Sequence, residues 1–212
     1  VNPGNKIIYL TFDDGPGKYT QGLLDLLDKY NVKVTFFVTN THPDYQNLIA
    51  EEAKRGHTVA IHSASHKYNQ IYTSEQAFFD DLEQMNSIIK AQTGNDASII
   101  RFPGGSSNTV SKDYCPGIMT QLVNDVTARG LLYCDWNVSS GDANNKPIST
   151  EQVVQNVISG VQSHNVSVVL QHDIKDFSVN AVEQIIQWGQ ANGYTFLPLT
   201  TSSPMSHHRV NN

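Results

Sequence analysis

The sequence predicts a parallel α/β fold, either a (β/α) barrel or an open doubly wound sheet. Short β-prone apolar runs alternate about seven times with segments of helical spacing. No internal repeat, low-complexity tract or charged linker interrupts this alternation. A chain of 212 residues is also long enough to form one sizeable core. We therefore expect a single domain over residues 1–212, built on about seven parallel strands.

The strands are predicted from apolar runs that end at turn residues. The run at 7–12 stops at two aspartates and a Gly-Pro break, and it is short enough to be a strand buried on both faces. Further strands are predicted over 32–38, 57–61, 98–102, 131–138, 166–171 and 194–197.

The helices are predicted from apolar residues at helical spacing and from capping residues. Thr73-Ser74-Glu75-Gln76 is typical of a capping box and opens a helix that continues to about residue 92. Thr150 is expected to cap another helix. The remaining helices are predicted over 20–30, 45–55, 118–128, 150–161 and 178–191, with a Gly- and Ser-rich loop over 104–116.

Composition limits the possible partners. A formal net charge of −6 argues against nucleic acid, and no run of apolar residues is long enough to span a membrane. Cys115 and Cys134 are compatible with a disulfide but do not establish one. Because the chain starts at Val1 rather than Met, we expect a mature or trimmed domain whose signal or anchor segment lies outside the sequence. An extracellular or cell-surface location is expected, with no membrane contact by the domain and a monomeric state.

Polar residues follow several predicted strands directly. In parallel α/β folds, the rim formed by the carboxyl ends of the strands is where functional sites are built. These side chains are therefore expected to lie near one another. They are Asp13, Asp14, His62, Arg101, Asp135 and His172.

The ends of the first and third predicted strands together predict a metal site. Asp13 and Asp14 carry adjacent like charges, and a bound cation is the simplest way to keep both ionised. His62 and His66 are four residues apart, which places them on one face of a helical turn where both can bind one ion. Two histidines and one aspartate, with a position left for water, suit a catalytic Zn²⁺ or a similar divalent ion.

Five motifs occur in a fixed order. They are Thr-Phe-Asp-Asp-Gly-Pro at 11–16, His-Ser-x-x-His at 62–66, Arg-Phe-Pro-Gly-Gly at 101–105, Asp-Trp-Asn at 135–137 and Leu-Gln-His at 170–172. In this order they resemble the polysaccharide deacetylases of carbohydrate esterase family 4, most of all the bacterial peptidoglycan N-acetylglucosamine deacetylases. The resemblance implies a distorted (β/α) barrel and metal-dependent removal of acetyl groups from a sugar polymer.

The resemblance also implies roles for the first two motifs. Asp14, His62 and His66 would bind one divalent metal ion, Zn²⁺ first, with Co²⁺, Ni²⁺ or Mn²⁺ as alternatives. Asp13 would be the general base that accepts a proton from the attacking water. Such a base must lie beside that water without itself occupying the metal.

The third motif would orient the base and shape the pocket. By resemblance, Arg101 pairs with the base carboxylate, for which a guanidinium fork is suited. Pro103, Gly104 and Gly105 would shape the substrate loop, with the backbone N–H of Gly104 helping to hold the oxyanion. Leu170 would line the acetyl pocket.

The last two motifs concern the general acid. His172 would protonate the leaving nitrogen, and many relatives hold this histidine protonated through an aspartate in an Asp-x-x-Asp-Trp segment. Here that segment departs from the pattern: Asp142 is the first choice for the orienting residue and Asp135 the second. Ala143 then stands where relatives have tryptophan, and Trp136 is either a wall of the sugar groove or a core residue.

Other polar residues receive simpler interpretations. His207 and His208 lie in a polar tail and are expected to contact nothing, while Asp173 is expected to orient a loop.

Several functions remain open from the sequence. The leading one is N-deacetylation of peptidoglycan, followed by chitin or chitooligosaccharides and by O-deacetylation of acetylxylan. A sugar-binding module without catalysis is an alternative of a different class. A Mg²⁺-dependent phosphohydrolase using the Asp-Asp pair is a further alternative, but Mg²⁺ prefers oxygen ligands to two histidines.

Overall fold

Eight strands form one sheet in the computed structural model, which describes residues 2–212, and every strand pair is parallel. The strands are β1 (Ile7–Asp13), β2 (Thr35–Thr39), β3 (Thr58–Ser63), β4 (Ile99–Ile100), β5 (Leu132–Tyr133), β6 (Val138–Ser139), β7 (Val166–His172) and β8 (Thr195–Phe196). The helices are α1 (Thr20–Tyr30), α2 (Leu48–Lys54), α3 (Tyr68–Ile71), α4 (Glu75–Thr93), α5 (Ile118–Ala128), α6 (Thr150–Gln162), α7 (Asp176–Val179) and α8 (Val182–Ala191), with 3₁₀ turns at Pro43–Tyr45 and Val110–Asp113.

Seven of the strands follow the order β5-β4-β3-β2-β1-β7-β6, and β8 pairs with the start of β1. The two edge strands, β5 and β6, are consecutive along the chain and are joined only by residues 134–137. Since successive Cα atoms are about 3.8 Å apart, so short a link requires the two edges to approach each other. The sheet is therefore curled into a distorted (β/α) barrel. The predicted parallel α/β fold is confirmed in its barrel form.

Strand β1 lies at the centre of the sheet and is buried along its whole length. Ile8 and Leu10 pack against the helices, whereas Ile7 and Tyr9 belong to the separate cluster on the other face of the sheet. Side chains alternate in direction along a strand, so Asp13 belongs to the same row as Ile7 and Tyr9. The carboxylate of Asp13 therefore lies on the same face of the sheet as Ile7 and Tyr9, at the carboxyl end of β1.

The predicted strand at 131–138 is wrong, because the structure divides it into β5 and β6. The backbone between them is held by Arg101 instead of by a neighbouring strand. Its guanidinium donates from Nε to the Cys134 carbonyl (2.9 Å) and from Nη2 to the Asp135 carbonyl (2.8 Å). A contact between residues so distant in sequence cannot be deduced from local periodicity.

The helices follow the predicted pattern, with one difference in a cap and one in the length of a helix. Ser74 caps α4 by accepting from Ala77 N–H, as expected. In α6 the cap is Ser149, whose side chain accepts from Gln152 N–H, and not Thr150. The helix predicted over 178–191 is interrupted and forms α7 and α8.

The C-terminal segment packs onto the barrel, so the expectation that His207 and His208 contact nothing is wrong. The His207 ring stacks on Tyr133 with 3.8 Å between centroids. His208 donates its backbone N–H to the Asp135 carboxylate (2.9 Å), and its Nδ1 lies 2.9 Å from Ser107 Oγ. Residues 206–208 therefore cover the seam between β5 and β6.

Cys115 and Cys134 are not joined to each other in the structure; Cys134 is buried and Cys115 is half-buried. Within residues 2–212, none of the helices combines the length and the apolar character that crossing a bilayer requires.

Candidate active site

A cavity of about 370 Å³ opens at the carboxyl ends of β1, β3 and β7. Most of the residues singled out by the sequence line it. They are Asp13, Asp14, His62, His66, Gly104, Trp136, Leu170 and His172.

The two aspartates diverge because the backbone turns between them. Asp13 is the last residue of β1 and is buried, whereas Asp14 has a left-handed backbone with φ of 79°. The carbonyl of Asp14 accepts a hydrogen bond from the Thr39 hydroxyl (2.7 Å), which fixes this turn. Consequently the two carboxylates approach the cavity from different directions.

The two histidines come together through a strand end and a tight loop. His62 lies in β3, and His66 has a left-handed backbone with φ of 53°. The helical turn expected between them is therefore wrong, although their rings do meet, with centroids 5.0 Å apart. His62 Nδ1 lies 2.8 Å from the carbonyl of Arg101, to which it must donate, so Nε2 is left as an acceptor toward the cavity.

Asp14, His62 and His66 form a group that could hold a metal ion, each offering one ligand atom within 4.8 Å of the others. Asp14 Oδ1 lies 3.3 Å from His62 Nε2 and 3.4 Å from His66 Nε2. This oxygen is buried and has no hydrogen-bond partner among the described residues. A buried oxygen without a partner is costly, and a cation bound by all three residues would satisfy it. The donor set fits a divalent metal.

The pKa values of Asp14 and His66 shift toward the forms that bind metal. For His62, burial lowers the pKa, but the charges of Asp13 and Asp14 outweigh burial and raise it. Burial tends to raise the pKa of Asp14, but the close imidazole of His62 and the charge of His172 outweigh it and lower the pKa. Burial, together with the neighbouring His62, lowers the pKa of His66. An ionised carboxylate and a neutral imidazole are the protonation states that metal binding needs.

Asp13 lies beside the metal group but is held by a different partner. Its Oδ1 accepts from Arg101 Nη1 at 2.9 Å, and its Oδ2 is 3.7 Å from His62 Nε2. Arg101 is fully buried, and the same Nη1 also donates to the Thr11 hydroxyl (2.7 Å). The ring of Phe37 lies 4.1 Å from the guanidinium carbon. The guanidinium is thus fixed on all sides and sets the orientation of the Asp13 carboxylate.

His172 lines the cavity at the end of β7, next to Asp13 on β1, and Asp142 packs against it. The Asp142 carboxylate accepts from the backbone N–H of His172 (2.7 Å), from its Nδ1 (2.8 Å) and from the Ser178 hydroxyl (2.6 Å). Burial lowers the pKa of His172, but the Asp142 hydrogen bond and the charge of Asp14 raise it to about 9. His172 Nε2 faces the metal group, 3.8 Å from Asp14 Oδ2.

Asp135, the second choice as a partner of His172, contacts Ser106 and His208 instead. Its carboxylate accepts from the backbone N–H of Ser106 (2.8 Å), from the Ser106 hydroxyl and from His208 N–H (2.9 Å). Asp135 therefore ties the loop after Arg101 to the C-terminal segment.

Within the Arg-Phe-Pro-Gly-Gly motif, only Gly104 lines the cavity. Its backbone N–H has no acceptor among the described residues. The Pro103 carbonyl accepts from the Tyr72 hydroxyl (2.7 Å), and a Cβ at Gly105 would approach Trp136 to 2.8 Å. Pro103 and Gly105 do not line the cavity; they shape the loop that carries Gly104.

Trp136 and Leu170 form cavity walls, and Ala143 lines the cavity without filling it. The Trp136 ring also lies over the Arg101 guanidinium, with 5.5 Å between the guanidinium carbon and the ring centroid. Trp136 therefore lines the cavity and also packs against the buried Arg101–Asp13 ion pair.

Sequence reasoning missed further residues that line the cavity, namely Tyr68, Ile174 and Lys175. Each lies within three residues of a predicted ligand or acid, His66 or His172. This proximity is the signal that could have identified them.

Asp81 was also missed, and it holds the loop between the two histidines. Its carboxylate accepts from the Ser63 hydroxyl (2.6 Å) and from the backbone N–H groups of Ala64 (3.1 Å) and Ser65 (2.9 Å). Ser63 Oγ in turn accepts from His66 N–H at 2.9 Å. Asp81 thereby fixes the loop geometry that brings His66 to the cavity.

We expect Asp81→Ala to lower the affinity for Zn²⁺ by about tenfold or more, because residues that orient metal ligands commonly contribute that much. Competition with a chromophoric chelator measures this. Asp80→Ala is the matched control, since Asp80 is the exposed neighbour on the same helix. Equal affinities of the two variants would contradict the role given to Asp81.

Asp173 orients the loop after β1, as expected. Its carboxylate accepts from Gly15 N–H (3.1 Å) and from the Thr20 hydroxyl (2.7 Å). A Cβ at Gly15 would lie 2.2 Å from this carboxylate, so only glycine allows the contact. Burial raises the pKa of Asp173 to about 7.

Comparison with known proteins agrees with the family resemblance of the five sequence motifs. A family model described as polysaccharide deacetylase matches residues 1–115. The crystal structure of the catalytic domain of peptidoglycan N-acetylglucosamine deacetylase from Eubacterium rectale has 98% sequence identity and a TM-score of 1.00, covering 100% of this chain and 96% of that one.

Two relatives extend the comparison. A peptidoglycan-N-acetylglucosamine deacetylase of Bacillus cereus is 33% identical over 196 residues, which is 90% of this chain and 68% of the relative. A bifunctional xylanase/deacetylase of Pseudobutyrivibrio xylanivorans is 31% identical over 92% of this chain but only 30% of its own length. Because the family model covers more than half of the sequence and the Bacillus cereus relative is matched over most of both proteins, the chain belongs to the polysaccharide deacetylase family.

Proposed function

We propose that the protein is a metal-dependent hydrolase that removes N-acetyl groups from N-acetylglucosamine units of peptidoglycan. The observation that carries the proposal is the convergence of three kinds of group in one cavity. Asp14, His62 and His66 could bind a metal ion together, Asp13 lies 3.7 Å from His62, and His172 lies 3.8 Å from Asp14.

The metal set supplies the first part of the chemistry. A divalent cation bound there would lower the pKa of a water molecule in its coordination shell and polarise the acetyl carbonyl. Asp13 lies beside this set and is held by Arg101, so it is placed to accept the proton that the attacking water loses. Gly104 lines the same cavity, and its backbone N–H, which has no acceptor among the described residues, would donate to the developing oxyanion.

His172 supplies the second part. An amine is a poor leaving group as an anion, so breaking the carbon–nitrogen bond requires a proton donor. The hydrogen bond to Asp142 is made through Nδ1 and leaves Nε2 facing the cavity. The hydrogen bond to Asp142 raises the pKa of His172, which favours the protonated form of this histidine. Acid and base would thus be separate residues, His172 and Asp13, at the ends of neighbouring strands.

The choice of metal follows from the donor set. Two imidazole nitrogens and one carboxylate favour Zn²⁺, with Co²⁺, Ni²⁺ or Mn²⁺ as alternatives. Mg²⁺ prefers oxygen ligands, which argues against a phosphohydrolase.

Two features support peptidoglycan as the substrate. Its similar proteins include the peptidoglycan N-acetylglucosamine deacetylases of Eubacterium rectale and Bacillus cereus. Lys175 places a cation on the cavity wall, where it can meet the carboxylates of the peptide stems; chitin oligomers carry no such charge. We further propose that the protein acts as a monomer at the cell wall, where this substrate is found.

Removal of metal is expected to abolish acetate release from peptidoglycan, and Zn²⁺ or Co²⁺ is expected to restore it, because the cation activates the nucleophile. The measurement compares acetate release from peptidoglycan, chitooligosaccharide and acetylxylan before and after dialysis against a chelator, with metal content checked in each sample.

Full activity in a verified metal-free sample would overturn the mechanism. Faster release from chitooligosaccharide or acetylxylan would move the assignment to that substrate. Sugar binding without acetate release at any metal load would instead indicate a non-catalytic binding module.

A further inference from the structure

We propose that the Tyr68 hydroxyl is a second hydrogen-bond donor to the acetyl oxygen of the substrate, acting beside the backbone N–H of Gly104. This inference rests on the proposed deacetylase function and adds a residue outside the five sequence motifs that touches the reacting group. It starts from the unusual Gly-Gly sequence in the loop after Arg101.

The structure shows why glycine stands at position 104. Its backbone is left-handed, with φ of 80°, and a Cβ built there would lie 3.0 Å from Asn108 Cβ and 3.2 Å from the Tyr68 hydroxyl oxygen. The space that a side chain at position 104 would need is therefore taken in part by the phenol of Tyr68. The tyrosine contributes a wall of the cavity beside the glycine.

The hydroxyl of Tyr68 is free to act on a ligand. It makes no hydrogen bond to any described residue, although both Tyr68 and Gly104 line the cavity. The neighbouring Tyr72, by contrast, donates its hydroxyl to the Pro103 carbonyl at 2.7 Å. Of these two tyrosines, only Tyr68 keeps an uncommitted donor next to the predicted oxyanion position.

The ring that carries this hydroxyl is held in place. It stacks on Tyr72 with 6.0 Å between centroids and 13° between planes, and it meets His66 edge-on at 5.6 Å. Tyr72 is fully buried and is itself stacked on Phe78. A donor that is fixed before the substrate arrives needs little reorganisation in the transition state, which is the condition for effective oxyanion stabilisation.

The chemical step defines what the hydroxyl would do. Water oxygen bonds to the acetyl carbon, Asp13 takes the water proton, the carbon–nitrogen bond breaks and the nitrogen gains a proton from His172. The products are acetate and the free amine. Negative charge grows on the acetyl oxygen between these events, and a phenol O–H directed at that oxygen stabilises the transition state more than the bound substrate.

The test is Tyr68→Phe, which keeps the ring and its stacking but removes the donor. We expect kcat for acetate release from a defined N-acetylglucosamine oligomer to fall about 10- to 100-fold, with KM changed less than about twofold. Zn²⁺ content and the thermal unfolding midpoint should match the wild type. Tyr114→Phe, which alters an exposed tyrosine, is the control.

A second readout uses the substrate. Replacing the acetyl oxygen by sulfur, a weaker hydrogen-bond acceptor, should slow the wild type more than Tyr68→Phe, because the variant has already lost the contact. An unchanged kcat, a change in KM alone, or an equal sulfur effect in both proteins would overturn the proposal. Absence of acetate release by the wild-type enzyme would refute the proposed function instead, so the two failures are distinguishable.

Discussion

Asp13→Asn is expected to lower kcat by about 10²- to 10⁴-fold while the protein still binds one equivalent of metal. Asparagine keeps the shape of the side chain and one oxygen for Arg101, but it cannot accept a proton from water. Acetate release under saturating substrate, together with metal analysis of the same sample, measures both parts of this expectation.

The distinction between base and ligand depends on geometry. Asp13 Oδ2 is 3.7 Å from His62 Nε2, whereas Asp14 Oδ1 approaches both histidines more closely, at 3.3 and 3.4 Å. Asp14→Asn is therefore expected to weaken metal binding as well as turnover. If Asp13→Asn lost its metal, or retained kcat within tenfold, the assignment of Asp13 as the base would be wrong. Asp113→Asn, an exposed substitution, serves as the control.

Asp142→Asn is expected to lower activity more at pH 8 than at pH 6, because it removes the charge that keeps His172 protonated. In the metal-free protein, His172 has a pKa of about 9, compared with an ordinary value of 6.5. Without the Asp142 carboxylate the pKa should fall toward that ordinary value. At pH 8 the protonated fraction of His172 in the metal-free protein should then drop by about tenfold or more, and kcat of the metal-loaded enzyme should fall in the same direction.

Nuclear magnetic resonance titration of the His172 ring in metal-free protein, with and without Asp142→Asn, measures the shift directly. Since the folded pKa is raised, the proton stabilises the fold fully below about pH 6.5, and this contribution is lost as pH rises through about 9. A bound cation near Asp14 will lower the His172 pKa in the loaded enzyme. A loss of kcat that is the same at every pH would show that Asp142 acts only through geometry.

The site could be predicted largely from sequence because of one property of parallel sheets. Strands β1, β3 and β7 place their carboxyl ends at the same rim, so Asp13, His62 and His172 meet although they are far apart along the chain. Periodicity located these strands, and the acid or histidine at each end was read directly from the sequence.

What could not be predicted depends on contacts between distant residues. Arg101 binds the backbone carbonyls of Cys134 and Asp135, which divides a segment whose local pattern is typical of one strand. His66 reaches the metal group through a left-handed backbone, which is uncommon for a residue other than glycine and which the local sequence pattern does not reveal. Tyr68 lies beside Gly104 only in the folded barrel.

The packing of residues 206–208 onto the barrel has a practical consequence for engineering. The Asp135 carboxylate accepts a hydrogen bond from His208 N–H, and the Asp135 backbone N–H donates to the Ser206 carbonyl at 2.7 Å. The preceding residue, Cys134, accepts through its carbonyl from Arg101. Shortening the protein to the last strand would remove these bonds, and the guanidinium that orients the base would lose its support. Affinity handles or fusion partners should accordingly follow Asn212 through a flexible spacer and never replace the preceding residues.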